Sequence, residues 1–245
     1  MDYTKRVIEA LQQCDGIEDY KLIIGLEPLS KDIVEYAYSL SAVFNQVEIL
    51  HRPYIYGCGT NILHTLAVGF EQSDYVVNLE DDVVPHRDIL KYFEWGADTY
   101  RDDKDIFTIS GYNNPSDDFD KTVEPRSQQK LTLEDYPPHI VNRQCNFTPW
   151  GWATWKDRFD EMKTNWNPNS WDVHLQHNVV GERYEIYPLL SRTLNIGKEM
   201  GTHVSPHVQE RSHYNPFWAG AYDNIYESEF EENIQAKKIG GIRGL

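Results

Sequence analysis

The chain is 245 residues long, a length that suits one domain with a small appendage and that can bury a substantial core. Its 23 basic and 39 acidic residues give a net charge of −16. A nucleic acid is therefore not expected as a partner, because binding its phosphates requires clustered Lys and Arg side chains. The three cysteines, Cys14, Cys58 and Cys145, show neither a metal-binding spacing nor a disulfide framework, which favours a reducing compartment.

No targeting segment precedes the first predicted helix, and no apolar run approaches the roughly 20 residues that a transmembrane helix needs. The sequence therefore predicts a cytoplasmic protein without a transmembrane segment. Peripheral attachment to a membrane leaves no recognisable pattern and stays open.

Helix and strand patterns alternate over the first half of the chain. Val7, Ile8 and Leu11 form the apolar stripe of an opening helix, and Asp2 is a suitable N-cap. This alternation predicts an α/β fold with a mostly parallel sheet and helices on both faces. The later helices are predicted to begin near Ser30, Thr60 and Arg87, and the strands to cover 21–25, 47–50, 74–79 and 106–110.

The chain opens on a helix, whereas a βαβα series begins with a strand. A strand missing from inside a parallel sheet would leave two unpaired edges. Either a strand precedes residue 1, or the fold closes the gap in another way, and the sequence leaves both open.

The alternation ends after Ser110. Residues 111–138 are predicted to form a long loop, and such loops in compact domains usually bind ligands or act as lids. Residues 1–222 are assigned to one α/β domain and 223–245 to a C-terminal surface helix and tail. Further strands are expected at 140–147, 184–187 and 193–196, a helix at 171–180, and a tryptophan-rich turn running into a helix at 148–159.

The stretch D-Y-V-V-N-L-E-D-D-V-V-P, at 74–85, contains the most informative pattern. A short apolar strand ends there at three consecutive carboxylates, Glu80, Asp81 and Asp82, and Pro85 prevents it from continuing as a central strand. Ligands bind at such strand ends in open α/β sheets. Three adjacent anions repel one another, and a divalent cation is the simplest group that compensates them. The alternative is a solvated acidic turn.

Three further segments follow these acids: P-W-G-W-A-T-W-K at 149–156, N-S-W-D-V-H at 169–174 and S-R-T-L-N-I-G-K-E-M-G-T-H at 191–203. In this order the set resembles the nucleotide-sugar glycosyltransferases of the GT-A fold, of the bacterial and phage family 2 type. More distantly it is similar to the N-acetylglucosaminyltransferase I group. The resemblance covers about residues 1–215 and implies a Rossmann-like GT-A sheet, whose usual first strand is either absent or not visible in this sequence.

The resemblance implies a metal-dependent reaction with Mn²⁺ or Mg²⁺. In such sites the cation stabilises the negative charge that develops on the leaving nucleoside diphosphate. By resemblance Asp82 would be the direct metal ligand, and His203 would approach the metal or the diphosphate. Glu80 and Asp81 would contact ribose, sugar hydroxyls or metal-bound water.

Asp172 matches the catalytic base of the resembled enzymes. A carboxylate there would take the proton of the acceptor hydroxyl, which implies an inverting displacement. The alternative is that Asp172 caps a helix beginning at about Val173. Trp171 would either wall the sugar pocket or belong to the core.

Other site residues are also carried over by resemblance. Ser191 and Arg192 fall where donor contacts are expected, although Arg192 suits a structural ion pair equally well. Asn61 ends the stretch Y-G-C-G-T-N, whose glycines and helix N-terminus would receive a polar donor group. The acceptor or sugar side, or else a tight packing turn, is expected at Trp150, Gly151 and Trp152.

The sequence thus predicts a hexosyl- or N-acetylhexosaminyl-transferase. Its partners would be a nucleoside-diphosphate sugar donor and a hydroxyl acceptor such as a glycan. A non-catalytic nucleotide- or carbohydrate-binding remnant is one alternative, suggested by the missing first strand. A metal-dependent phosphoesterase is the other, although that chemistry normally needs a second cluster of ligands.

Overall fold

The computed structural model of the protein describes residues 2–28, 30–113, 138–197 and 230–232. Its α-helices are α1 (Asp2–Leu11), α2 (Lys31–Ser39), α3 (Cys58–Gln72), α4 (Ile89–Tyr100), α5 (Lys156–Thr164) and α6 (Trp171–Asn178). Its strands are β1 (Leu22–Leu26), β2 (Val47–His51), β3 (Tyr75–Asn78), β4 (Val83–Pro85), β5 (Ile106–Ser110), β6 (Ile140–Gln144), β7 (Trp152–Trp155), β8 (Tyr184–Pro188), β9 (Thr193–Asn195) and β10 (Glu231–Glu232). Among these ranges, each helix is too short or too polar to cross a bilayer.

The predicted α/β class is confirmed, and the early helices and strands lie close to their predicted positions. The start of α3 differs from the prediction, because the helix begins at Cys58 with Gly57 as N-cap rather than at Thr60. Gly57 has a φ of 80°, a conformation that glycine adopts without strain. The Glu27 carboxylate accepts hydrogen bonds from the amides of Tyr56 (2.8 Å) and Gly57 (2.7 Å), which fixes this helix entry.

The main sheet is mixed, so the prediction of a mostly parallel sheet was wrong for the described strands. Its order is β10-β6-β8-β5-β7-β3, and the pairs β3–β7, β5–β7 and β6–β8 are antiparallel. The cause is the segment W-A-T-W, which was predicted as part of a turn. It forms β7 and inserts between β5 and β3 against their direction, where its four residues are buried.

Strands β1 and β2 form a separate parallel pair, and β4 and β9 form a short antiparallel one. In the described part of the chain, β1 pairs with β2 alone and β3 with β7 alone, so the two edges expected from a missing strand are present. Helix α3 contacts both β1 and β3. Apolar side chains of both strands pack in one core cluster, so packing rather than a hydrogen-bond ladder joins the two sheets.

The C-terminal assignment needs correction at the three residues described there. Glu231–Glu232 is strand β10, parallel to β6, rather than surface helix. Its contacts include an ion pair between Arg143 and Glu232 at 2.5 Å, a hydrogen bond from the Tyr100 hydroxyl to Glu232 at 2.8 Å, and the Phe230 ring, which lies 5.3 Å from that of Trp95. The other residues of 223–245, and 114–137 of the predicted long loop, lie outside the described residues.

Glu185 lies on β8 and is completely buried. Its carboxylate accepts hydrogen bonds from the Thr148 amide (2.8 Å), the Thr148 hydroxyl (2.8 Å), Gln144 (3.0 Å) and Thr108 (3.3 Å). Burial raises the pKa of Glu185 to about 7, and these hydrogen bonds only partly offset the effect. The buried carboxylate thereby anchors the start of the segment T-P-W-G-W to the sheet.

We expect E185Q to weaken the pH dependence of stability. The folded pKa of about 7 exceeds the ordinary value of 4.5, so the folded state holds the proton more tightly. This group therefore makes the free energy of unfolding fall as pH rises from about 4.5 to about 7. Urea unfolding at several pH values in this range should show that the free energy of unfolding falls less steeply with pH for E185Q than for wild type. The exposed Glu182 supplies the control E182Q, which should keep the wild-type slope; equal slopes for all three proteins would contradict the expectation.

Candidate active site

The three consecutive acids lie in the turn that joins β3 to β4. β3 ends at Asn78, and the Val83 amide donates to the Glu80 carbonyl at 3.1 Å to close the turn. β4 then pairs with β9, which belongs to the segment S-R-T-L-N-I-G-K. The chain direction thus changes at the acids, and they lie beyond the carboxyl end of β3, where α/β folds bind ligands.

Asp82 is enclosed by the residues that follow β9. Its carbonyl accepts a hydrogen bond from the Ile196 amide at 2.7 Å. Its carboxylate lies so close to Gly197 that a Cβ added there would be 2.1 Å from Oδ2. The other oxygen, Oδ1, is buried and has no hydrogen-bond partner among the described residues. A buried acceptor without a partner is costly and indicates an acid kept for a ligand.

Burial and mutual repulsion raise the pKa values of two of the three acids. Burial, followed by the charges of Asp82, Asp81 and Asp172, raises the pKa of Glu80 to about 8. Burial and the charge of Asp81 raise the pKa of Asp82 to about 6, against the effect of a backbone hydrogen bond. Asp81 itself is exposed, and Thr4 of α1 donates to it at 3.5 Å. Perturbed carboxyl groups of this kind concentrate at functional sites.

Asp172 lies in the same electrostatic environment. It occupies the first turn of α6, whose N-cap is Ser170, so it is not the capping residue considered from the sequence. It is half-buried, and its charge contributes to raising the pKa values of Glu80 and of the Cys58 thiol. The positive end of the helix dipole favours a negative charge at this position. The structure therefore brings Asp172 and the E-D-D turn together.

Two of the tryptophans expected at the site are core residues. Trp152 pairs with Asn78 in the sheet and is completely buried. Trp171 is 6% exposed and stacks on Trp166 with ring centroids 5.2 Å apart, so the core alternative applies to it. Trp150 is half-buried and forms an edge-to-face contact with Tyr112.

Gly151 forms a tight packing turn, the alternative considered from the sequence. Its φ is 85°, and an added Cβ would lie 2.6 Å from Cγ2 of Thr193. Thr193 also donates a hydrogen bond to the Trp150 carbonyl at 2.8 Å, which attaches the turn to β9.

Arg192 is completely buried and forms an ion pair with Asp88 at 2.9 Å. The Asp88 carboxyl group also bonds His86 at 2.6 Å. Burial alone would raise the pKa of Asp88, but the charge of Arg192 and the bond to His86 outweigh it and lower the pKa to about 2. Of the two roles considered for Arg192, the structure contains the ion pair. Ser191 is also buried and donates to the Thr193 carbonyl at 2.8 Å.

Both polar atoms of the Asn61 amide serve the fold. Its nitrogen donates to the Gly25 carbonyl at 2.8 Å, and its oxygen accepts from Arg52 at 2.9 Å. Gly25 has no space for a side chain, since an added Cβ would lie 2.2 Å from Thr65 Oγ1. The prediction that Asn61 contacts a donor stays a prediction.

A metal would find oxygen ligands here rather than a closed cage. In the described ranges, no three His, Cys, Asp or Glu side chains converge into a metal-binding group, and His203 lies outside those ranges. The buried, unpartnered Oδ1 of Asp82 nevertheless fits a hard cation. Mg²⁺ and Mn²⁺ commonly bind one or two carboxylates and complete their coordination with phosphates and water. The residues present therefore fit a cation that arrives with a phosphate ligand.

Sequence reasoning missed several residues that shape this site. Gly197 follows β9 closely, and its contact with Asp82 is visible only in the structure. From the sequence, Cys58 had no role at the site. In the structure, partial burial and then the charges of Glu80, Asp172 and Asp81 raise the pKa of its thiol to about 12. Glu27 carried no pattern that distinguishes it from an exposed acid.

The GNT-I family model matches residues 61–211, more than half of the chain. The chain belongs to the GNT-I family. The resemblance to GT-A glycosyltransferases that the four motifs suggested is thereby confirmed. No curated protein matches this GNT-I family chain.

Two solved structures are similar to this GNT-I family protein at low sequence identity. One is the mannosyltransferase PcManGT from Pyrobaculum calidifontis in complex with GDP-Man and Mn²⁺, with 12% identity and a TM-score of 0.48. The matched region covers 76% of this chain and 51% of the PcManGT chain. The other is S. aureus TarS 1-349, with 11% identity, a TM-score of 0.47, and coverage of 78% and 55%. The chain spans about half the length of these structures.

We expect D82N to stabilise the ligand-free protein. At pH 8 the half-buried Asp82 carboxylate is ionised next to Glu80 and Asp81, and removing its charge relieves that repulsion. In a chelating buffer the melting temperature should rise by about 2–4 °C, equivalent to about 1 kcal/mol. The exposed Asp74 supplies the control D74N, which should melt with the wild type. A lower melting temperature for D82N would contradict the expectation.

Proposed function

We propose that this GNT-I family protein is a metal-dependent, inverting glycosyltransferase that transfers a sugar from a nucleoside-diphosphate sugar to a hydroxyl acceptor. The observation that supports it most strongly is the placement of the half-buried acids Glu80 and Asp82 beyond the carboxyl end of β3, with Asp172 close enough for its charge to raise the pKa of Glu80. A catalytic base and a set of acids suited to a cation are the two components this reaction requires.

Asp172 acts as the general base. The acceptor oxygen attacks the anomeric carbon of the donor sugar and forms the new glycosidic bond. The bond from that carbon to the phosphate oxygen breaks, and its electron pair leaves with the nucleoside diphosphate. The acceptor proton passes to the Asp172 carboxylate. One displacement of this kind inverts the configuration at the anomeric carbon.

Asp82 is the residue that would hold the cation, Mn²⁺ or Mg²⁺, through its unpartnered carboxylate oxygen. Such a cation neutralises negative charge on a diphosphate leaving group. Glu80 and Asp81 border the same turn and suit hydrogen bonds to hydroxyl groups of the ribose or the sugar. His203 remains a proposed second contact to the cation or the diphosphate.

The donor is proposed to carry a hexose or an N-acetylhexosamine, and the acceptor to be a glycan or another hydroxyl compound. Ser191 and Arg192 act on the donor side only indirectly in this proposal, because both side chains are completely buried. Trp150 is the half-buried aromatic residue of its turn and is proposed to face the acceptor or the sugar.

A binding protein without catalysis is the second candidate. The two unpaired strand edges of β1 and β3 favour it, because a sheet interrupted there positions nucleotide contacts less firmly than a continuous one. It predicts affinity for a nucleotide or a sugar without turnover. A phosphoesterase is not favoured, since no second group of ligands is found within the described residues.

We expect a screen of UDP, GDP and dTDP sugars, with and without Mn²⁺, to identify a donor that releases nucleoside diphosphate. With that donor, D172N should reduce kcat by about 100-fold or more, because general base catalysis contributes about 10² to 10⁴. Its nucleotide affinity should stay within about twofold of wild type, since Asp172 contacts the acceptor proton.

D82A should instead abolish the dependence of nucleotide affinity on Mn²⁺, as measured by calorimetry, while D74N serves as the control for both measurements. Binding without turnover of any donor would favour the second candidate. A fully active D82A protein whose binding ignores the metal would exclude the proposed role of Asp82.

A further inference from the structure

The segment that carries Asp172 lies unusually close to the first turn of α3. An added Cβ on Gly59 would lie 2.2 Å from the carbonyl oxygen of Pro168 and 3.0 Å from its Cα. Both are backbone atoms, which cannot move aside as a flexible side chain would. Gly59 is therefore required by the separation of the two segments, although a helix interior ordinarily favours alanine over glycine.

A hydrogen bond crosses the same contact. The indole nitrogen of Trp166 donates to the Gly59 carbonyl at 3.0 Å. The Trp166 ring then stacks on Trp171, with centroids 5.2 Å apart and planes 8° from parallel. Trp171 precedes Asp172 directly and begins α6. We call these residues, Gly59, Trp166, Pro168 and Trp171, the α3–α6 contact.

The first turn of α3 is itself fixed to the sheet. Glu27, which follows β1, accepts hydrogen bonds from the two backbone amides that lead into the helix. Gly69, ten residues along α3, packs against Val76 of β3, the strand that leads to Glu80. α3 is therefore packed on the strand that leads to the E-D-D turn, and its first turn contacts the segment that leads to Asp172.

We infer that Gly59 and Trp166 are positioning residues that hold Asp172 at its working place beside Glu80 through the α3–α6 contact. The inference rests on the proposed function for the role of Asp172 in catalysis. A misplacement of about 1 Å in a reacting group can cost a rate factor of about 10², so a contact that fixes the approach of two segments affects turnover directly.

G59A tests the inference. The added methyl group must push α6 away from α3, so kcat should fall by about 10- to 100-fold while nucleotide affinity stays within about twofold of wild type. G69A is the matched control on the same helix. Its added Cβ would lie 3.2 Å from a Val76 side-chain carbon, so it should keep kcat within about threefold of wild type.

W166F removes the hydrogen bond and one ring of the indole, and keeps a phenyl ring that can stack on Trp171. It should reduce kcat by about 5- to 10-fold, and W166A, which also removes the stacking, should reduce it further with unchanged nucleotide affinity. These variants carry the test if G59A does not fold. A parallel loss of kcat and nucleotide affinity would show a general structural role and overturn the inference.

Crystal structures of G59A and G69A separate this inference from the proposed function. Asp172 should be displaced relative to Glu80 in G59A and should keep its place in G69A. An unmoved Asp172 in G59A, or equal kcat values for G59A and G69A, would overturn the inference. If the wild-type protein transfers no sugar from any donor, the proposed function fails, and the displacement of Asp172 still decides whether the α3–α6 contact positions it.

Discussion

Uncompensated negative charge in a partly buried turn is the constraint on which the rest of the site depends. Glu80 and Asp82 lose much of their hydration, and among the described residues no basic side chain forms an ion pair with them or with Asp172. Burying carboxylates without a counter-charge destabilises a fold. Arg158 and Arg192, the arginines buried within the described ranges, form their ion pairs elsewhere. A divalent cation bound at the turn would offset this negative charge.

Strand pairing explains how four distant segments meet at this turn. β7 carries W-A-T-W beside β3, and β9 carries the segment from 191 onward beside β4. The remaining segment arrives on α6, whose Trp171 packs against Trp152 of β7 and stacks on Trp166, which in turn donates a hydrogen bond to Gly59 of α3. Two segments are thus fixed by backbone ladders and the third by side-chain contacts. The position of Asp172 is consequently the one most sensitive to small changes in packing.

The sequence was sufficient for the α/β class, for most strands and helices, and for the segments that surround the acids. It failed where tertiary contacts override local patterns. The segment W-A-T-W was predicted as part of a turn because glycine and proline precede it. In the structure it pairs with β3 and β5 and forms a buried central strand. Arg192 was open between two roles, because only the fold brings Asp88 to it. The sequence does not explain why position 59 is glycine, because the close approach of Pro168 is visible only in the structure.

The division of the sheet between β1 and β3 has a consequence for motion. β1 and β2 share backbone hydrogen bonds with each other, and side-chain packing joins them to the larger sheet. Segments held in this way open locally at a lower free energy than strands paired on both sides, such as β5 and β8, and their amide hydrogens exchange faster. Because Glu27 and the entry to α3 belong to this half, its opening would release the support of α6. Local opening of the β1–β2 pair would then displace Asp172, which α6 carries.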